Sequence, residues 1–95
     1  MLIDKVGEPA ALELLAEECA ELAHAALKLA RVERGENPSP ITQSACEAQV
    51  IEEMADVRIC LTEIMTTEWF DVDELMDAEI GKRDRMERRL KGRTD

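Results

Sequence analysis

Apolar residues recur every three or four positions along three long stretches of the chain, a spacing typical of amphipathic helices. These stretches are residues 9–34, 40–68 and 71–91. The first is mostly Ala, Leu, Glu and Lys and stops before Gly35, a residue that favours a helix end. Asp71 is expected to be the N-terminal cap of the third helix. Residues 1–8 are expected to form an N-terminal turn that is broken at Gly7.

The start of the second helix has two candidates, both after the turn-forming segment GENPSP. Ser39-Pro40 and Ser44-x-x-Glu47 both resemble helix starts, so the helix is predicted to begin between Ser39 and Ser44. No stretch shows the alternating pattern of a strand. We therefore expect one all-α domain over residues 1–95, built as an antiparallel bundle of three main helices. Helices with such broad apolar faces are not all covered in a monomer, so the bundle is expected to be completed by oligomerisation.

Two acidic residues stand where the first two helices should be apolar. Because a helix turns by roughly 100° per residue, Glu18 leaves the polar stripe marked by Glu17 and falls among leucines. Glu53 leaves the stripe marked by Glu52 in the same way. Each is followed three residues later by a second acid at the border of the apolar face. These second acids are Glu21 and Asp56.

The repeated placement of acids indicates a bound cation. Neighbouring carboxylates repel each other, and an unpaired carboxylate in the interior is costly. A single motif of this kind is usually a solvated helix face, but here two helices carry matched motifs. Oxygen ligands suit hard divalent ions, so the pattern predicts a site for Mg²⁺ or Mn²⁺.

Charge and cysteine content narrow the class of protein. The net charge is -10, which argues against a nucleic-acid polymer as partner. Residues 1–80 hold 5 Lys and Arg against 19 Asp and Glu, whereas residues 81–95 hold 7 against 3. The three cysteines form no CxxC motif and are expected to be apolar fillers in a reducing compartment. The start of the chain does not resemble a signal peptide and no apolar run is long enough for a membrane span, which predicts a cytoplasmic protein.

Three segments of the chain together resemble a known enzyme family. EECAELAHAALKLAR, NPSP and VIEEMADVRICLTEI resemble the MazG-like all-α nucleoside triphosphate pyrophosphohydrolases, especially the short phage and bacterial type. The family signature of ExxE followed by ExxD corresponds to Glu18-x-x-Glu21 and Glu53-x-x-Asp56. The last helix adds a similar run of cations, namely Lys82, Arg85 and Arg89. The resemblance extends over residues 2–90.

The resemblance implies a fold and an activity. The helical bundle would assemble as a homodimer, a homotetramer or a higher oligomer. The four acids would be the catalytic residues and would hold Mg²⁺. The reaction would hydrolyse a nucleoside or deoxynucleoside triphosphate to the monophosphate and pyrophosphate, in the clearance of nucleotide pools. The three cations of the last helix would bind the phosphates.

Other residues near the motifs are candidates for supporting roles. Lys28 follows Glu21 by two helical turns and is a further candidate for phosphate binding. Glu17 and Glu52 are candidates for orienting the attacking water. Gln49 stands where many relatives have Asn and could do the same.

Two other classes of function fit the same residues. One is a non-catalytic acidic helical oligomer that acts as a protein-interaction module. The other is a di-iron carboxylate bundle, which needs Glu-x-x-His on two helices, whereas the chain has one histidine, His24. Trp69 is the largest aromatic residue available to stack on a base, and we expect it in the core instead.

Overall fold

The computed structural model describes residues 1–36 and 41–94, and every regular element in that part of the chain is an α-helix. The four helices are α1 (Leu2–Val6), α2 (Glu8–Glu33), α3 (Gln43–Ile64) and α4 (Val72–Thr94). The all-α class and the three long helices are therefore confirmed. None of the described helices carries an apolar stretch long enough to cross a bilayer.

Gly35 ends α2 in the predicted way. It adopts a positive φ of 68°, a conformation that costs glycine little. Its N–H donates to the carbonyl of Val32 at 3.1 Å, and the N–H of Glu36 donates to the carbonyl of Arg31 at 3.0 Å. This pair of bonds satisfies carbonyls that the helix end would leave without partners.

Helix α3 begins within the predicted interval but ends earlier than predicted. Thr42 is the N-terminal cap, and its hydroxyl accepts a hydrogen bond from the N–H of Ala45 at 3.1 Å. Ser44 lies inside the helix, while Ser39 and Pro40 lie outside the described residues. At the other end, α3 stops at Ile64 and does not reach Glu68.

Threonine hydroxyls account for the early end of α3. Thr66 Oγ1 donates to the carbonyl of Glu63 at 2.7 Å, and Thr67 Oγ1 donates to the carbonyl of Ile64 at 2.8 Å. Such local bonds compete with continuation of the helical ladder. The chain then turns, and Asp71 caps α4 as predicted, because its Oδ1 accepts from the N–H of Asp73 at 2.8 Å.

Helices α2 and α3 pack side by side in an antiparallel layer, and α1 packs on both. Helices α2 and α3 each contribute a stripe of buried and half-buried residues at alternating spacings of three and four, the spacing expected of a helix–helix seam. The stripes are residues 11, 15, 18, 22, 25, 29 and 32 of α2 and residues 46, 50, 53, 57, 60 and 64 of α3. The N–H of Leu2 donates to Glu63 Oε1 at 2.9 Å and so ties α1 to α3.

Helix α4 is the main departure from the expected three-helix bundle. It contacts none of the other helices, and within it every side chain described up to residue 92 is exposed except that of Leu75. Its apolar stripe, which includes Met76, Ile80 and Leu90, is interrupted by Glu79 and Arg83. The chain is correspondingly thin, with extents of 46 × 36 × 17 Å. One copy therefore consists of a two-helix layer and a separate α4.

Candidate metal centre

Three carboxylates from two helices meet in the middle of the α2–α3 layer. Glu18 and Glu53 occupy positions in the two packing stripes and are half-buried, as the helical spacing predicts. Asp56 is exposed and follows Glu53 by one turn. Each of the three offers a carboxylate oxygen, and these oxygens all lie within 4.8 Å of one another.

The surroundings of Glu18 and Glu53 raise the pKa of both carboxyl groups. Burial raises the pKa of Glu18 most, the charges of Asp56, Glu53 and Glu21 raise it further, and so does a side-chain hydrogen bond with Asp56. Burial also raises the pKa of Glu53, followed by the charges of Asp56, Glu21 and Glu52. Two carboxyl groups can share a hydrogen bond only if one keeps its proton. Removing water and crowding like charges both oppose ionisation.

Three ion pairs of the described chain lie away from these carboxylates. The N-terminal ammonium lies 3.6 Å from Asp4, Arg34 lies 2.9 Å from Glu36, and Arg88 pairs with Asp84. No positive group appears among the influences on the pKa of Glu18 or Glu53. The negative charge of the centre is therefore not balanced by these ion pairs.

Glu21 belongs to the surroundings of the centre and not to its inner group. Its side chain is exposed, and its carboxylate is not among those within 4.8 Å of one another. It still lies close enough to raise the pKa of both Glu18 and Glu53. Of the four acids in the two motifs, three converge and the fourth stands at the rim.

The candidates for orienting water lie on one side of the α2–α3 layer. Glu52 is exposed and contributes to the raised pKa of Glu53. Glu17 is exposed, and Gln49 is half-buried. By helix geometry all three lie on the side of the α2–α3 layer that also carries Glu21 and Asp56. We call this side the polar face.

The candidate phosphate-binding residues fall into two groups. Lys28 is half-buried on α2, two turns from Glu21 and on the polar face. Lys82, Arg85 and Arg89 lie on α4, which does not contact the layer. Within one copy, the structure therefore does not bring the α4 cations to the carboxylates.

His24 and Trp69 are both exposed. Among the described residues, His24 does not join the carboxylate group, so the structure offers no support for a di-iron centre. The prediction that Trp69 lies in the core is wrong, since 58% of the residue is exposed. Its indole Nε1 donates to the carboxylate of Glu8, which holds the ring at the surface near the start of α2.

A cysteine lies beside the centre, and the sequence pattern had not singled it out. Cys60 is buried, and its pKa is raised by burial, by Glu18 and Asp56, and to a smaller extent by Cys19. Its spacing of four residues from Asp56 is the signal that places it next to the acids. Cys46 is also buried, but Cys19 is exposed, so the expectation of three buried fillers is correct for two of them.

The donor set fits a hard divalent cation. All three converging ligands are carboxylates, and their separations allow one ion to bridge both helices. Mg²⁺ and Mn²⁺ prefer such oxygen ligands and retain water in their remaining positions. Softer metals would be expected to recruit sulfur or imidazole, which this group of ligands lacks.

Comparison with known proteins identifies no relative of this chain. No family model matches the chain, and no curated protein or solved structure matches it. The resemblance to MazG-like enzymes therefore depends on the residues of the two motifs and on the α4 cations, and the function has to be argued from the centre itself.

The raised pKa values predict how the stability of the metal-free protein depends on pH. A carboxyl group with a higher pKa in the folded chain holds its proton more tightly there, so protonation adds stability at acid pH. That contribution is lost as the pH rises from the ordinary value of 4.5 through the raised pKa. We expect the unfolding temperature, measured in chelator, to fall over this range more steeply for the wild type than for a Glu18→Gln, Glu53→Gln double variant. Parallel pH profiles would contradict the prediction.

Proposed function

We propose that the protein is a magnesium-dependent pyrophosphohydrolase that converts nucleoside or deoxynucleoside triphosphates to monophosphates and pyrophosphate. The observation that carries the proposal is the convergence of Glu18, Glu53 and Asp56, while the ion pairs described in the structure involve other acids. A packing seam optimised only for stability would place apolar residues there. The free-energy cost of placing carboxylates in the seam is explained if the acids bind a metal ion and, through that ion, a polyphosphate.

The proposed reaction breaks the phosphoanhydride bond between the α and β phosphorus atoms. The oxygen of a water molecule forms the new bond to phosphorus, the bridging oxygen leaves with the other product, and the water gives up a proton. Bound Mg²⁺ would neutralise phosphate charge and make a bound water more acidic. The residues Glu18, Glu53 and Asp56 would hold the metal, and Glu21 would complete the set from the rim.

The water-orienting role belongs to a residue of the polar face. Glu17, Glu52 and Gln49 are the candidates, since helix geometry places each on the polar face and none belongs to the converging group. Of these, Glu52 lies close enough to Glu53 to influence its ionisation. A carboxylate in such a position can accept the proton of the attacking water.

Phosphate binding would combine a local cation with cations from α4. Lys28 lies on the same helix and the same side as Glu21, so it would contact the substrate from within the layer. In an oligomer, Lys82, Arg85 and Arg89 would approach the centre from α4, and each adds a charge-assisted hydrogen bond to phosphate. Because α4 contacts no other helix of its own copy, we assign this contribution to a second copy.

The proposed setting is a homodimer or homotetramer in the cytoplasm, acting in the clearance of nucleotide pools. Two buried cysteines without disulfide partners are consistent with a reducing compartment. Neither a membrane nor a nucleic-acid polymer is part of the proposal.

The function is tested by product analysis. The purified protein is incubated with Mg²⁺ and a panel of canonical nucleoside and deoxynucleoside triphosphates, and pyrophosphate is separated from orthophosphate. We expect monophosphate and pyrophosphate in equal amounts, and no turnover in chelator. The panel also ranks the substrates by base and sugar.

Two outcomes would overturn the proposal. Orthophosphate as the only inorganic product would mean a different phosphatase chemistry on the same acids. Absence of turnover for every nucleotide, with Mg²⁺ still bound, would favour the non-catalytic interaction module.

A further inference from the structure

Two of the three cysteines stand on facing helices beside the carboxylates of the candidate metal centre. Cys19 is exposed and directly follows Glu18 on α2. Cys60 is buried and lies one turn after Asp56 on α3. Filling the seam explains a buried cysteine, but it does not explain an exposed cysteine next to a carboxylate of the centre. The two thiols are therefore candidates for chemistry that involves both helices.

The antiparallel packing of α2 and α3 directs the two thiols towards each other. Glu18 meets Asp56 across the seam. Cys60 lies one turn further along α3, which is towards the N-terminal end of α2. Side chains of a helix lean towards its own N terminus. Along the seam, Cys19 therefore leans towards the level of Cys60, and Cys60 leans towards the level of Cys19.

The surroundings of Cys60 show the same proximity. Burial raises its pKa most, and the pKa is raised further by charges that act in decreasing order from Glu18, Asp56, Cys19 and Glu63. Glu63 lies within one turn of Cys60 on the same helix, yet Cys19 on the other helix has the larger effect. Because an electrostatic effect weakens with distance, this order places Cys19 near Cys60.

We propose that Cys19 and Cys60 are a modification site at which a reversible disulfide forms across the α2–α3 seam, and that this cross-link separates the carboxylates of the metal centre. Both thiols are free in the structure, which therefore represents the reduced state. The cross-link itself requires only the two cysteines, whereas its effect on metal binding rests on the proposed function.

The oxidant is a low-molecular-weight disulfide such as oxidised glutathione. Cys19 loses its proton and attacks one sulfur of the oxidant, which releases one molecule of reduced thiol and leaves a mixed disulfide on Cys19. Cys60 then loses its proton and attacks the sulfur of Cys19, which releases the second molecule of thiol. Two protein thiols are oxidised and one reagent disulfide is reduced. Because Cys19 is exposed, an excess of reduced thiol reverses the exchange by the same route.

The cross-link is expected to move Glu18 out of the centre. Cys19 lies roughly 100° around α2 from Glu18, so it does not point along the seam axis. Cα atoms joined by a disulfide lie about 4.4–6.8 Å apart, whereas the axes of packed helices lie about 8–10 Å apart. Bringing Cys19 to Cys60 therefore turns α2 locally about its own axis. This rotation carries Glu18 towards the polar face and away from Glu53, so fewer carboxylates converge on the ion.

Cys46 is the matched contrast within the same seam. It is also buried in the stripe of α3, but it lies about two turns from Glu53, on the side away from Cys60. It does not appear among the influences on the pKa of Cys60. The proposal therefore excludes Cys46 from the disulfide.

The cross-link is tested by peptide mapping of the full-length protein. Reduced protein is incubated with oxidised glutathione, and we expect the chain to lose two hydrogen atoms and to keep one thiol, that of Cys46. Trypsin places the three cysteines on separate peptides, namely residues 6–28, 35–58 and 59–82. Peptides 6–28 and 59–82 should be joined to each other, and dithiothreitol should separate them.

The effect on the metal centre is tested by calorimetric titration with Mg²⁺ before and after oxidation. Oxidation should weaken the affinity of the wild type about tenfold or more, since disturbing the groups that support metal ligands already costs 10- to 100-fold. Cys19→Ala removes an exposed thiol, so it should keep the fold, form no disulfide within the chain and bind Mg²⁺ equally well after the same treatment. Cys46→Ala is the control and should respond to oxidation like the wild type.

Several results would overturn the proposal. A stable adduct of one glutathione on Cys19 would mean that Cys60 does not reach it, and a doubled mass without reductant would mean that Cys19 pairs with another chain. A cross-linked protein that binds Mg²⁺ as tightly as the reduced protein would remove the effect on the centre. Absence of Mg²⁺ binding by the reduced wild type would contradict the proposed function together with that effect, and the peptide map would still decide whether the disulfide forms.

Discussion

Glu53→Gln is expected to reduce pyrophosphate release by about 100-fold or more, since residues that only support metal ligands already contribute 10- to 100-fold. The change keeps the size of the side chain and removes one of three converging carboxylates. Glu13→Gln is the control, because Glu13 is exposed on α2 and belongs to neither motif. It removes the same charge from the chain and should leave turnover unchanged.

The same Glu53→Gln variant separates a metal centre from a solvated acidic surface without any enzyme assay. Burial and neighbouring acids raise the pKa of Glu53, so its ionised form is unfavourable in the folded metal-free chain at neutral pH. Removing that charge should raise the unfolding temperature in chelator. Added Mg²⁺ should stabilise the wild type and Glu13→Gln but have much less effect on Glu53→Gln. If all three proteins respond equally to Mg²⁺, the ion is not bound at Glu53.

Much of the fold follows from helix periodicity and from residues that end helices. The bounds of α2 and the start of α4 were predictable because Gly35 and Asp71 act through local backbone hydrogen bonds. The end of α3 was not, because it depends on the hydroxyls of Thr66 and Thr67, which can either follow the helix or bond to its last carbonyls. The position of α4 is not a local property, and an amphipathic pattern does not show what its apolar stripe packs against.

The candidate site could also be predicted only in part from the sequence. The angular position of each residue around its helix predicted that Glu18 and Glu53 lie in the seam between α2 and α3. The structure brings these two residues together with Asp56. The angular position does not show whether the carboxylate of a residue at the edge of the seam reaches the others. The carboxylate of Glu21 does not join the converging group. The surface position of Trp69 depends on its contact with Glu8, 61 residues away in the sequence, which no pattern within one helix reveals.

Arg85→Glu is expected to raise KM for the triphosphate by about tenfold or more, since a charge-assisted hydrogen bond contributes about 1.5–3 kcal/mol. The effect on kcat should be smaller, because the phosphate charge is present before and during the reaction. Arg88→Glu is the matched control on the same helix, since it changes the charge by the same amount and Arg88 already pairs with Asp84. An equal effect of both changes would show that α4 contributes only general positive charge.

The origin of the α4 cations can be decided by mixing two defective variants. Glu53→Gln chains lack a complete carboxylate group but carry intact α4 cations, and Arg85→Glu chains have the opposite defect. If α4 acts on the centre of the other copy, each mixed dimer contains one intact site, and equal mixing after subunit exchange, assayed at substrate concentrations well below KM, restores about a quarter of wild-type activity. If α4 acts on its own copy, every site in the mixed dimer keeps a defect and the activity does not exceed the average of the two variants. Because α4 is separate from the α2–α3 layer in one copy, we expect recovery.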